Sequence, residues 1–94
     1  MPSFEIEAKG RFRRKIRSVP EAQRREVAQA LDAMRDAFGR PHQHTGLGIR
    51  RLRRNFFECR AGRDLRLIFE VLPSVLLFHD AGNHDDVQRF IKNL

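Results

Sequence analysis

The alternation of residue types in one stretch of this sequence predicts that two arginines face each other across a hairpin. The stretch is FFECRAGRDLRLIFEV. In its first half, Phe57 and Cys59 share a face, and Glu58 and Arg60 share the other. In its second half, Leu65, Leu67, Phe69 and Val71 share one face, and Arg66, Ile68 and Glu70 the other. Buried faces of paired strands must agree, because a one-residue slip turns every side chain over. A three-residue loop, Gly62-Arg63-Asp64, meets that condition and sets Cys59 opposite Leu67 and Phe57 opposite Phe69. A two-residue loop would place Arg60 on the buried face, where an unpaired charge is costly. The favoured register puts Arg60 directly opposite Arg66. Like charges there are unfavourable by roughly a few tenths of a kcal/mol. Either Glu58 or Glu70 neutralises the pair, or the pair receives an anion such as a phosphate.

More basic residues stand close by. Arg50, Arg51, Arg53 and Arg54 occupy the preceding strand, and Arg63 the hairpin loop. Strand side chains alternate, so only about half of that basic run can serve one site. A basic edge strand also deters edge-to-edge aggregation. His84 follows the last strand at the start of a helix. With an ordinary pKa near 6.5 it can move protons at neutral pH. Its neighbours Asn83, Asp85 and Asp86 are accounted for as a helix cap and an acidic first turn. His42, His44, His79 and Cys59 raise the question of zinc, but the His42-x-His44 spacing fits no ligand pattern, and no metal is expected. There is no Walker loop, dinucleotide fingerprint or nucleophile elbow, and no cofactor is expected.

These residues need a scaffold. Ser3 to Ala8 alternates as a strand. Lys9 to Arg17 forms a basic amphipathic helix with Phe12 and Ile16 on one face. Ser18, Pro20 and Glu21 read as a helix start with Ser18 as cap. That helix runs to about Phe38 on a stripe of Val27, Leu31, Met34 and Phe38, and Gly39 and Pro41 end it. Four strands follow: Ile49 to Arg54, Phe56 to Arg60, Leu65 to Leu72 and Val75 to Asp80. A last helix from near Asn83 carries Val87, Phe90, Ile91 and Leu94 on one face. The expected fold class is α+β, β-α-α-β-β-β-(β)-α: an antiparallel sheet with an N-terminal helical hairpin on one face.

The bulk numbers bound the partners. At 94 residues the chain is expected to be one domain, residues 1–94. Nineteen Lys and Arg against twelve Asp and Glu give a formal charge of +7. Such a surface concentrates anionic ligands, nucleic acid first and an acidic protein second. Only Lys9, Lys15 and Lys92 are lysines, and arginine grips phosphate with a two-pronged fork. A single cysteine, no signal-peptide core and no membrane-length apolar run make a cytoplasmic location the expectation.

The segments IRRLRRNFFECRAGRDLRLIF and HDAGNHDDVQRF resemble the closing strands and C-terminal motif of the RelE/ParE superfamily of bacterial toxins. The resemblance extends over nearly the whole chain. For RelE-type members it implies a ribosome-dependent mRNA endonuclease in which a 2′-hydroxyl attacks the adjacent phosphate without a metal. Arg66 matches the arginine that stabilises that phosphate, Arg60 the arginine ending the third strand, and His84 the basic or His position of the closing motif. The family's third-strand lysines are absent, with Phe56 and Glu58 in their neighbourhood, and its Tyr is Gln88 here. Glu58 then becomes the candidate base. Arg50, Arg51, Arg53, Arg54 and Arg63 become candidate RNA-binding residues, and mRNA on the ribosome and a cognate antitoxin protein the implied partners. The alternatives are a ParE-type DNA gyrase inhibitor, acting by protein contact, and an inactive toxin-like binding module.

Overall fold

The structure, a computed structural model, describes residues 4–40 and 46–94. In chain order the elements are β1 (Glu5–Ala8), α1 (Gly10–Ser18), α2 (Glu21–Ala37), β2 (Arg50–Arg53), β3 (Phe56–Ala61), β4 (Leu65–Val71), β5 (Val75–Gly82) and α3 (His84–Lys92). The strands form one sheet in the order β1-β5-β4-β3-β2. His42 and His44 lie outside the described residues.

The β3–β4 register is the one the alternation predicts. Phe57 lies opposite Phe69, Cys59 opposite Leu67 and Arg60 opposite Arg66. The sheet is not antiparallel throughout, because β1 pairs parallel with β5, Glu5 against Val75 through Ala8 against Phe78. Only strands joined by a tight turn are obliged to run antiparallel. No turn joins β1 to β5; the helical hairpin and three strands intervene.

The apolar faces of α1 and α2 cover one side of the sheet. Phe12 meets Phe78 with ring centroids 5.4 Å apart, and Phe38 meets Phe57 at 5.4 Å and Phe69 at 5.6 Å. Met34, Leu67, Phe69, Leu76 and Phe78 are fully buried there. Each such side chain contributes roughly 2–3 kcal/mol of transfer free energy. Ser18 does not cap α2. Its hydroxyl donates to the Lys15 carbonyl at 2.6 Å inside the last turn of α1, and Pro20 occupies the N-cap position. The Arg24 guanidinium instead ties the corner by donating to the Val19 carbonyl at 2.6 Å.

The opposite side carries α3. Cross-strand pairing sets Glu58, Ile68 and Asp80 in one row on that side. Ile68 and Val87 are both fully buried, outside the main apolar cluster. A bulge between the Ile68–Asp80 and Phe69–Phe78 pairs leaves His79 without a partner strand residue. Its ring packs with Phe56 at 5.1 Å and Phe90 at 5.9 Å, and its Nε2 lies 2.9 Å from Glu70 Oε1. Asp80 is buried, accepts from the Ala81 amide at 2.8 Å and pairs with Arg11 at 3.2 Å. β5 runs to Gly82, past the predicted end at Asp80, because Gly82 still pairs with Arg66. Among the described residues no helix is long and apolar enough to cross a membrane.

Candidate functional site: an arginine-lined cleft at the start of the last helix

The start of α3 is held by a reciprocal cap. Asn83 Oδ1 accepts from the Asp86 amide at 2.9 Å, and Asp86 Oδ2 accepts from the Asn83 amide at 2.8 Å. The hydrogen bond from the Asn83 backbone, with help from Lys15 and Arg89, holds the Asp86 carboxyl below the ordinary carboxylate range. A side chain at Gly82 would run into the Asp86 carboxylate, so glycine is what permits this close turn. The cap fixes the backbone at the first helical residue, His84.

From there His84 meets the sheet. Its Nδ1 lies 3.4 Å from Arg66 Nη1, and the same Nη1 lies 3.4 Å from Glu58 Oε2. Arg50 Nε reaches that Oε2 at 3.2 Å from the neighbouring edge strand. Glu58 is only 3% exposed, and these two guanidiniums pair with it. Its other oxygen, Oε1, is buried and has no hydrogen-bond partner among the described residues. The like-charge opposition of Arg60 and Arg66 is thus relieved on one side by Glu58. Glu70 is committed elsewhere, to His79 and to the Asn55 amide at 3.3 Å. Arg60 makes no ion pair among the described residues. Its amide donates to the Leu47 carbonyl at 2.7 Å, and its stem crosses Gly48, where a Cβ would stand 3.0 Å from Arg60 Cγ. Gly48 also has φ +59°, a conformation glycine adopts without strain.

Arg50, Glu58, Arg60, Arg66 and His84 together line a cleft of about 580 Å³, completed by Gly46, Gly48 and Ile49. Three arginines and one carboxylate line it, so the cleft favours an anion. The other basic candidates lie elsewhere. Arg51 is exposed, and its Nε donates to the Arg54 carbonyl at 2.6 Å. Arg53 pairs with Phe56, Arg54 takes φ +54° in the β2–β3 turn, and Arg63 is exposed at the hairpin tip. None of these four lines the cleft. The sequence reading missed Gly46, Gly48 and Ile49. The Gly46-x-Gly48 spacing before a basic strand was the available signal for a close backbone approach.

Cys59 and His79 do not converge. Cys59 is fully buried on the side of the helical hairpin, and His79 packs under α3 on the other. Burial, and secondarily the charge of Glu58, push the Cys59 thiol up to about 12, where it is no nucleophile at neutral pH. No cluster of three His, Cys, Asp or Glu side chains suited to a metal occurs among the described residues.

No protein-family model and no curated protein matches the sequence. Solved structures do match the fold. The archaeal RelE–RelB complex from Pyrococcus horikoshii OT3 superposes with a TM-score of 0.71 at 16% identity, over 86% of this chain and 94% of the other. The RelBE2 toxin–antitoxin complex of Mycobacterium tuberculosis gives 0.68 at 16% identity, over 89% and 94%. YafQ from Escherichia coli BL21(DE3) gives 0.60 at 15% identity, over 89% and 97%. The element order, the sheet with its helical hairpin on one side, and the short helix over the other give this chain the fold of the RelE and YafQ toxin structures.

Proposed function

We propose that this chain is the toxin of a type II toxin–antitoxin pair and cleaves mRNA on the ribosome without a metal. The observation that carries this reading is the cleft. A buried carboxylate with one oxygen unpaired among the described residues, an imidazole and two arginines on facing strands meet in one place. Cleavage by an internal hydroxyl needs a base, an acid and positive charge on the phosphorane. In this reading Arg60 and Arg66 hold the phosphate oxygens. Glu58 takes the 2′-hydroxyl proton, and the 2′-oxygen bonds to phosphorus. The bond to the 5′-oxygen breaks, and His84 protonates that oxygen. The products are a 2′,3′-cyclic phosphate and a 5′-hydroxyl end. Arg50 pairs with Glu58 from the edge strand, and Arg51, Arg53, Arg54 and Arg63 serve as more distant contacts to the RNA backbone.

A cognate antitoxin belongs to the same reading. The groove between α1 and α2, about 340 Å³ and lined by Phe12, Ile16, Val27 and Leu31 among others, is almost wholly apolar, with Arg13, Arg17 and Arg24 around it. None of these three arginines makes an ion pair among the described residues; Arg13 and Arg24 donate to backbone carbonyls instead. An acidic amphipathic segment complements both features.

The test is induction of wild type and Arg66→Ala side by side, following growth and mRNA ends. Expected is growth arrest with cleavage inside ribosome-bound codons, reduced by roughly 10²–10³-fold in the variant. Intact mRNA with DNA-damage signalling would point to a gyrase inhibitor instead. Unaffected growth would sink both toxin readings.

A further inference from the structure

A second, smaller cleft of about 270 Å³ opens off the first at the end of the β3–β4 hairpin. Ala61 and Gly62 of the hairpin line it, with Glu26 and Gln29 of α2. It shares Gly46 and Arg60 with the first cleft. At that junction a side chain on Gly46 would meet no described atom within 4 Å, so the passage between the clefts is open. Gly62 makes room for Glu26. It has φ +73°, and an added Cβ would collide with the Glu26 carboxylate. Neither that carboxylate nor the Gln29 side-chain amide has a hydrogen-bond or ion-pair partner among the described residues.

Glu26 and Gln29 stand three residues apart on α2, which puts them on one helix face. The carboxylate accepts through two oxygens, and the amide also donates. A carboxylate repels phosphate, so in a groove for RNA it suits a base and not the backbone. Guanine has the matching edge. Its N1–H and N2–H donate side by side to the two carboxylate oxygens, and its O6 accepts from the amide. Adenine, cytosine and uracil each lack that pair of adjacent donors. Single-stranded RNA is read on such edges once a base leaves its stack.

We infer that the second cleft holds the base of the nucleotide 5′ to the cut, and that Glu26 and Gln29 select guanine there. This rests on the reading of the first cleft as the phosphate site. In an in-line displacement the attacking and leaving oxygens stand on opposite sides of phosphorus. His84, the proposed acid at the leaving oxygen, lies beside Arg66 of β4. On its other side β4 pairs with β3, which sets Arg60 opposite Arg66. The order is therefore His84, Arg66, Arg60 and then the second cleft. The nucleoside that supplies the 2′-hydroxyl lies on the Arg60 side of the phosphate, and its base enters the second cleft.

Nucleoside 3′-monophosphates carry base and phosphate in that order, and they serve as probes of the whole protein. The dissociation constants of 3′-GMP, 3′-AMP, 3′-CMP and 3′-UMP are measured by calorimetry. The wild type is expected to bind 3′-GMP roughly tenfold more tightly than 3′-AMP, the discrimination of one good bidentate pair. Glu26 is exposed, so Glu26→Gln keeps the fold, and it removes the preference. Wild-type protein that holds 3′-GMP no more tightly than 3′-AMP overturns the inference. So does a preference that survives Glu26→Gln. RNA ends are mapped separately. Cuts without regard to base, beside equal binding of the four nucleotides, sink the guanine site and leave the nuclease. Uncut RNA beside a clear preference for 3′-GMP sinks the nuclease reading and leaves the guanine site standing.

Discussion

The two sides of the sheet are built on different physics. The side under α1 and α2 is a dry, aromatic-rich core in which Phe69 and Phe78 pack 5.1 Å apart and fully buried. The side under α3 has a small apolar patch, Ile68 and Val87, ringed by charged and titratable groups. Glu58 and Asp80 are buried there, and each is held by arginine, from Arg50 and Arg66 in one case and from Arg11 in the other. The first side is specified by area removed from water. The second is specified by pairing, since a buried carboxylate without a partner is costly. The arginine-lined cleft opens on the second side.

The largest test of this contrast is Phe69→Ala. A fully buried ring lost from the core side should destabilise the protein by about 3–5 kcal/mol, read from the midpoint of urea unfolding. Glu58→Gln should behave in the opposite way. RNA cleavage falls by roughly 10²–10⁴-fold. Stability falls by only about 1 kcal/mol, because Arg50 and, less so, Arg66 reach solvent. A stability loss as large as that of Phe69→Ala would erase the distinction between the two sides. The smallest effect is expected for Asn83→Ala, which removes one half of the cap. It should cost about 1 kcal/mol and lower the melting temperature by roughly 4–8 °C. A cleavage loss beyond that stability cost would show that the cap also aims His84.

The core side was nearly all legible in the sequence. Phe57, Cys59, Leu67 and Phe69 alternate, and alternation fixes both the register and the Arg60–Arg66 opposition. The second side was legible only in part. Ile68 shares its strand face with Arg66 and Glu70, and nothing local says that this face will be buried under a later helix. Ser18 is a good capping residue by type, but its hydroxyl found a carbonyl in its own helix. The four arginines of the basic strand look alike in sequence, yet Arg50 alone reaches Glu58 and the cleft. A bulge between Arg51 and Arg53 breaks the simple alternation there.

By itself, then, the sequence determined the sheet-and-hairpin scaffold, the β3–β4 register and the basic character of the surface. These follow from side-chain period and net charge, which are local or additive. Tertiary structure decided which of Glu58 and Glu70 relieves the arginine pair, how β1 joins the sheet, and which ring nitrogen of His84 meets Arg66. Those outcomes depend on contacts between elements far apart in the chain. A difference of an ångström or two there separates a hydrogen bond from none, and no pattern of residue types carries that distance.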